Sequence, residues 1–216
     1  MSDFAEQRAK MVERQLRRRG ISDERVLGAM AEVPRELFVA PELRSRAYHD
    51  RALPTVEGQT ISQPWVVAAI SEALALEGPE SVLEIGTGSG YSTAIIARLA
   101  SQVLSIERYE ALAAGARQRL ADLGHGNVEV RVGDGTEGAP DRAPFEAIAV
   151  HAAAPAPPPS LVAQLADGGR LVVPVTEAGA DMLTVFTKRD DRLHARAIAP
   201  CRFVPLVGVE GYGDPG

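Results

Sequence analysis

Seven consecutive residues, Glu84-Ile85-Gly86-Thr87-Gly88-Ser89-Gly90, concentrate the chemistry of this chain. Alternating glycines let backbone approach a ligand closely, and a loop that opens a helix offers unpaired N–H groups. Glu107 lies 21 residues after Gly86, close to the ~20 at which nucleotide-binding sheets place an acid for ribose hydroxyls. Together these features predict a nucleoside ligand. The spacing G-x-G-x-G differs from the dinucleotide fingerprint G-x-G-x-x-G, and no Gly-Lys-Ser/Thr follows as in a phosphate-binding loop. Glu84 disfavours a pyrophosphate nearby and suits a ligand that brings a positive charge. Gly133-Asp134-Gly135 supplies a second carboxylate, for the adenine end of such a ligand. His151, followed by Ala152 at the end of a central strand, is the remaining polar candidate. The four histidines (His49, His125, His151, His194) and the single Cys201 show no metal-ligand spacing, so no metal is expected.

The surrounding pattern says which elements hold these residues. From residue 81 short apolar runs alternate with helical periodicity: strands over 82–85, 103–106, 128–132 and 145–150, helices over 91–100 and 109–123. Such βαβ units close with right-handed crossovers into a parallel sheet that binds ligands at the carboxyl ends of its strands. The glycine loop, Glu107, Asp134 and His151 all fall at such ends. A helix over 159–165, stopped by Gly168-Gly169, a strand over 171–175 and a hairpin of 182–188 with 193–199 across Asp190-Asp191 complete the pattern. Upstream, helices are predicted over 5–18, closed by Gly20, over 23–32, capped by Ser22, and over 64–76. The reading is one α/β domain over 1–216, with a helical extension at 1–63 and a Rossmann-like core at 64–210.

Composition narrows the class. Of 216 residues 45% are hydrophobic and 24% charged, as in a folded water-soluble chain. No apolar run reaches the ~18 residues a membrane span needs, and the first twenty residues lack an apolar signal segment. A net charge of −6 argues against binding nucleic acid through phosphates. The arginines of residues 1–20 read as a solvated face. Cysteine usage fits a reducing cytoplasm, and the expected state is a monomer.

The motif Glu84-x-Gly86-x-Gly88-x-Gly90 resembles the first motif of S-adenosylmethionine-dependent methyltransferases. Those that methylate a base or amide nitrogen usually carry Asn/Asp-Pro-Pro-aromatic after the fourth strand. Here His151-Ala152-Ala153-Ala154-Pro155 stands there, so another acceptor is implied. Val33-Pro34-Arg35, Phe38-Val39, the 58–64 segment GQTISQP, the 168–174 segment GGRLVVP and the 202–208 segment RFVPLVG complete a set. The set resembles the protein-L-isoaspartate O-methyltransferase family over about residues 10–209.

The resemblance implies a seven-stranded-type, Rossmann-like methyltransferase sheet with an N-terminal helical extension and a C-terminal antiparallel hairpin. It implies methylation of the free α-carboxylate of L-isoaspartyl residues in damaged proteins and peptides, which starts repair through a succinimide. The cofactor would be S-adenosyl-L-methionine, leaving S-adenosyl-L-homocysteine. Ser62 carries over as the active-site residue. Glu84, Gly86, Thr87, Gly88, Ser89, Gly90, Glu107, Asp134 and Gly135 carry over to the cofactor side, and Thr60, Ile61, Ser62, His151 and Ala152 to the substrate side. The chain departs from the family at Glu146, where Asp is usual, and at His151, where Thr or Gly is usual. The second departure bears on acceptor preference.

Chemistry alone sets the task of these residues. A carboxylate with a pKa near ~4 is already an anion at neutral pH, and a sulfonium is an activated methyl donor, so no general base is needed and catalysis is positioning. Ser62 is read as orienting the carboxylate oxygens by hydrogen bonding, a role compatible with capping the helix that begins near Pro64. A methyltransferase for aspartate in a biosynthetic peptide would call for an extra recognition domain, for which 216 residues leave no room. A non-catalytic cofactor-binding protein would have no need of both Ser62 and a complete glycine loop. A nicotinamide oxidoreductase is disfavoured by the glycine spacing.

Overall fold

The computed structural model describes residues 3–190 and 192–213. Helix α1 (Phe4–Met11) is capped by the Asp3 carboxylate, which accepts the Glu6 N–H at 3.0 Å. The predicted helix over 5–18 does not continue regularly: a π turn at Val12–Leu16 and a 3-10 turn at Arg17–Arg19 replace its second half. The cause is the spacing of the buried residues Met11, Leu16 and Ile21, five apart. In an α-helix five residues rotate the next side chain by about 140° relative to the first, off the core face, and a wider turn corrects this.

Helix α2 (Glu24–Glu32) is capped by Asp23 rather than Ser22; its carboxylate accepts the Arg25 N–H at 2.8 Å. Strands β1 (Leu53–Pro54) and β2 (Thr60–Ile61) pair as a small ribbon. Helix α3 (Pro64–Leu74) follows, and its Glu72 accepts the Ser22 N–H at 2.7 Å, which occupies the serine predicted as a cap.

The core then runs β3 (Ser81–Ile85), α4 (Tyr91–Ala97), β4 (Gln102–Glu107), α5 (Glu110–Asp122), β5 (Val128–Val132), β6 (Phe145–Val150), α6 (Pro159–Gln164), β7 (Leu165–Glu177), β8 (Ala180–Arg189) and β9 (Arg192–Cys201). The seven strands from β3 onward hydrogen-bond in the order β5-β4-β3-β6-β7-β8-β9. Pairs from β5 to β7 are parallel, and β8 and β9 add antiparallel. Successive strands leave β3 in one direction and resume with β6 on its other side. That reversal opens a crevice at the strand ends, where ligands bind in such sheets. Ile85 is the register partner of Val150, so Gly86 and His151 emerge side by side.

Strand β7 begins six residues earlier than predicted, directly after α6. Gly168-Gly169 does not stop the helix; it sits where the β6 pairing shifts from Phe145↔Leu165 to Ala147↔Arg170. A Cβ at Gly169 would lie 2.8 Å from the Ala166 carbonyl oxygen, so only glycine fits this bulge. In the predicted hairpin turn Asp190 takes φ 48°; Asp191 lies outside the described residues.

Strand alternation divides the core. Val82, Ala147 and Ala149 face the side of α3, α4 and the N-terminal extension, whereas Leu83, Ile85, Ile148 and Val150 face the side of α6. After β9 the chain returns across the sheet edge as a strap. The Ala153 N–H donates to the Val204 carbonyl at 2.8 Å, and the Leu206 N–H to the Ala153 carbonyl at 2.7 Å. Further along, Glu210 accepts both the N–H and the hydroxyl of Ser160, at 2.8 and 2.7 Å. Among the described residues no helix is long and apolar enough to cross a membrane.

Candidate active site

A cavity of about 710 Å³ opens at the carboxyl ends of β3, β4 and β6, walled by the glycine loop, the Thr60-Ile61-Ser62 segment and the strap. Gly86 stands at φ 91°, and a Cβ there would meet the His151 Cβ at 3.4 Å. Glycine is favoured because a side chain would be strained at this φ, although the space beside His151 would admit a Cβ at ordinary contact distance. Glu107, at the end of β4, accepts the Gly88 N–H at 2.8 Å through Oε2 and the Tyr109 N–H at 3.1 Å through Oε1. It is buried yet forms part of the cavity wall.

Of the residues singled out in the sequence, Thr60, Ile61, Ser62, Gly86, Thr87, Gly88, Ser89, Glu107, Gly135, His151 and Ala152 line this cavity. Glu84, Gly90 and Asp134 are not on its wall. Gly90 turns the chain into α4 at φ 89°, packed against Ala116 of α5. Asp134 holds the strap: Oδ2 accepts the Val209 N–H at 2.8 Å, and Oδ1 accepts the Thr136 N–H and hydroxyl, both at 2.8 Å. Burial works to raise its pKa, but the Val209 and Thr136 bonds prevail and hold the carboxyl below its ordinary value.

Glu84 is fully buried beneath the loop. Its Oε2 accepts the hydroxyls of Thr93 and Ser105, each at 2.6 Å, and its Oε1 lies 3.0 Å from His151 Nε2. The carboxylate is therefore turned away from the cavity, because strand alternation sends it to the face shared with Val82.

Ser62 is positioned by a residue of the N-terminal extension. Arg35 is fully buried; its Nη2 donates to the Ser62 carbonyl at 2.8 Å and its Nε to the Ala47 carbonyl at 2.7 Å. The same guanidinium lies 4.8 Å from the centroid of the Tyr91 ring, which walls the cavity. The Ser62 hydroxyl has no hydrogen-bond partner among the described residues, and the N-cap position of α3 is Gln63, with no side-chain cap. The capping role open to Ser62 in the sequence is thus not taken.

The structure adds residues that sequence reasoning set aside. Arg19 belongs to the basic run read as a solvated face, yet it lines the cavity, with its guanidinium 5.1 Å from the Trp65 ring centroid and 2.8 Å from Asp50. Trp65, read as a packing residue, lines it too. Nothing local in the sequence pairs these positions. Cys201 is also on the wall, and burial, with Asp181 nearby, pushes its thiol up to about 11, away from thiolate chemistry.

The family described as protein-L-isoaspartate(D-aspartate) O-methyltransferase matches residues 6–211. This chain belongs to that family. It is 50% identical over 212 residues to a protein-L-isoaspartate O-methyltransferase of Koribacter versatilis, covering 98% of this chain and 96% of the relative. It is 52% identical over 206 residues to one of Roseiflexus castenholzii, covering 95% and 94%. A solved protein-L-isoaspartate O-methyltransferase superposes with a TM-score of 0.84 at 31% identity, covering 94% of this chain and 67% of that one. A Plasmodium falciparum structure in complex with S-adenosyl-L-homocysteine superposes with a TM-score of 0.81 at 24% identity, covering 93% and 98%, and so shares the fold. In this member of the family the glycine loop and the Thr60-Ile61-Ser62 segment line one cavity.

Proposed function

We propose that this chain transfers the methyl group of S-adenosylmethionine to the free α-carboxylate of L-isoaspartyl residues in damaged proteins and peptides, the step that opens repair through a succinimide. The reading is carried by one observation: within a chain of this family, Ser62 and the glycine loop with Glu107 face each other across a single cavity.

The donor set fits the cofactor. Glu107 offers carboxylate oxygens at the end of β4, the backbone from Gly86 to Ser89 offers close approach, and a buried nitrogen of His151 has no partner. When bound, the cofactor supplies a methyl group on a cationic sulfur. Glu107 grips ribose hydroxyls and at the same time fixes the Gly88 amide. The Ser62 hydroxyl, without a partner among the described residues, donates to an oxygen of the acceptor carboxylate and orients it. Arg35 holds the Ser62 backbone while that happens. No side chain has to remove a proton, because the acceptor arrives ionised. Asp134 contributes by holding the strap, with Gly135 on the wall beside it.

The same reading treats residues 1–216 as one functional unit, because Arg35 of the extension bonds the carbonyl of Ser62 at the edge of the core. It takes the chain to act as a monomer in the cytoplasm, a reading supported by its single, half-buried cysteine. The test is methyl transfer from radiolabelled S-adenosylmethionine to two synthetic peptides that differ only in L-isoaspartate against L-aspartate at one position. Base-labile labelling of the isoaspartyl peptide alone is expected. Equal labelling of both, or of neither, would overturn the reading.

A further inference from the structure

Within the basic run that reads as a solvated face, Arg17 pairs with Glu24 and Arg18 with Glu13. Arg19 behaves differently. The chain tightens into the 3-10 turn at Arg17–Arg19 and is redirected by Gly20 at φ 97°, which brings Arg19 to the cavity wall. Its guanidinium is held on two sides there. The Trp65 ring centroid lies 5.1 Å from it, and Trp65 Nε1 donates to the Arg19 carbonyl at 3.3 Å. Arg19 Nη1 donates to Asp50 Oδ2 at 2.8 Å, while Asp50 Oδ1 accepts the Gln63 side-chain amide at 2.7 Å.

An arginine fork carries five N–H donors, and among the described residues Asp50 takes one of them. The side chain stays 42% exposed, so donors remain for a ligand. A guanidinium stacked and tethered in this way has lost its rotamer freedom before any ligand arrives, which suits it to clamp a carboxylate. Charge on the wall points the same way. The whole chain carries −6, yet among the described residues the cavity is lined by four arginines, Arg19, Arg51, Arg108 and Arg202, against two carboxylates, Asp50 and Glu107. Arg19 and Arg51 belong to the N-terminal extension and Arg202 to the strap, whereas Glu107 is engaged with the Gly88 and Tyr109 amides at the donor side. A cleft with such a local excess attracts anionic groups.

The acceptor carboxylate does not by itself account for Arg19. The link from Arg19 to Ser62 runs through Asp50 and Gln63, the residue after Ser62, and Asp50, itself an anion, repels a second carboxylate placed at that link. A group suited to Arg19 stands further along the bound peptide, whose extended backbone advances ~3.3–3.6 Å per residue. We infer that Arg19 is a specificity-determining residue: it binds the side-chain carboxylate of an Asp or Glu that flanks the isoaspartyl residue, so that this chain selects damage sites in acidic segments of its substrates. The inference rests on the function proposed above and names a substrate class within it.

The test is methyl transfer to synthetic isoaspartyl peptides that carry Glu, Gln or Lys at one position at a time, from two residues before the isoaspartate to two after it. For the unmodified chain, kcat/KM is expected to be about three- to fivefold higher with Glu than with Gln at one or more of these positions, chiefly through KM, the scale of a half-exposed ion pair. The preference should shrink as salt is raised. R19Q should bring the Glu-to-Gln ratio close to one, R19K should keep part of it, and R19E should turn the preference toward Lys. Each ratio is read within one variant, so a general loss of stability or turnover cancels. Absence of a Glu preference in the unmodified chain overturns the inference. So does a preference that survives in R19Q, which would assign it to Arg51 or Arg202, or a loss in R19Q that is equal on all peptides, which would make Arg19 a contact of the acceptor carboxylate itself. Failure of the unmodified chain to label any isoaspartyl peptide would instead overturn the proposed function on which the inference stands.

Discussion

The Nη2 of Arg35 donates to the carbonyl oxygen of Ser62 across 2.8 Å, joining residues 27 positions apart. One buried guanidinium thereby fixes two loop carbonyls, those of Ala47 and Ser62, and lies against the Tyr91 ring. Burial lowers its pKa from the ordinary arginine value, and the neighbouring Tyr91 and Tyr48 oppose that. A planar fork can span both carbonyls; a point charge cannot.

Replacing Arg35 with Lys should therefore misplace Ser62. The expected result is a fall of about tenfold in kcat on an isoaspartyl peptide, with cofactor affinity nearly unchanged and about 1–3 kcal/mol lost in urea unfolding as buried carbonyls go unpaired. Steady-state kinetics, calorimetry and denaturation together check it. A loss in cofactor affinity equal to that in kcat would mean the anchor serves the donor side.

Replacing Ser62 with Ala removes a hydroxyl that bonds nothing else among the described residues. Stability should be almost untouched, while turnover drops roughly ten- to hundredfold, the scale of one hydrogen bond to a charged group. Cofactor binding measured in parallel should stay constant; a parallel loss would sink the orienting role.

Glu107→Ala should act on the donor side. It removes the proposed ribose contact and also frees the Gly88 N–H that the carboxylate holds at 2.8 Å. Dissociation constants for S-adenosylhomocysteine should rise by about ten- to hundredfold, from the ~1.5–3 kcal/mol of a charged hydrogen bond. An unchanged constant would refute the ribose assignment.

Asp134 makes the strap sensitive to acid. Its carboxyl is held below the ordinary value in the fold, with burial opposing and the Val209 and Thr136 bonds prevailing. The sign follows: the stabilisation is complete above the ordinary carboxylate range near ~4 and is lost as pH falls through the lowered native value. Amide exchange at Val209, corrected for intrinsic rate, should accelerate on acidification before the amides of β3 and β6 do. D134N should show the same selective loosening at neutral pH. Uniform acceleration across the sheet would count against a local tether.

Much of this was legible in the sequence, and the reasons for the rest are physical. The alternation of short apolar runs with helices identifies the parallel sheet because strands buried on both faces, such as Phe145–Val150, need near-continuous apolarity. The glycine loop and Glu107 are legible because a backbone demand restricts residue type. The direction of Glu84 is not legible, because motif spacing says that an acid is present but not which way it points; strand period turns it from the cavity. Arg35 stands in the Val33-Pro34-Arg35 segment that the sequence singles out, but its role is hidden for a different reason. A lone arginine after a proline looks like surface, and only the tertiary fold supplies the two carbonyls and the tyrosine ring that let it be buried. Gly168-Gly169 reads as a helix stop because a bulge and a stop make the same local demand on the backbone.

The strap divides the work of the chain. All seven strands end by Cys201, so residues 202–212 add no strand to that sheet. The part of the cavity wall that runs from Arg202 to Val207 is held instead by carbonyl and amide pairing with Ala153 and by the grip of Asp134. Sheet and pocket wall thus draw on separate stretches of this polypeptide.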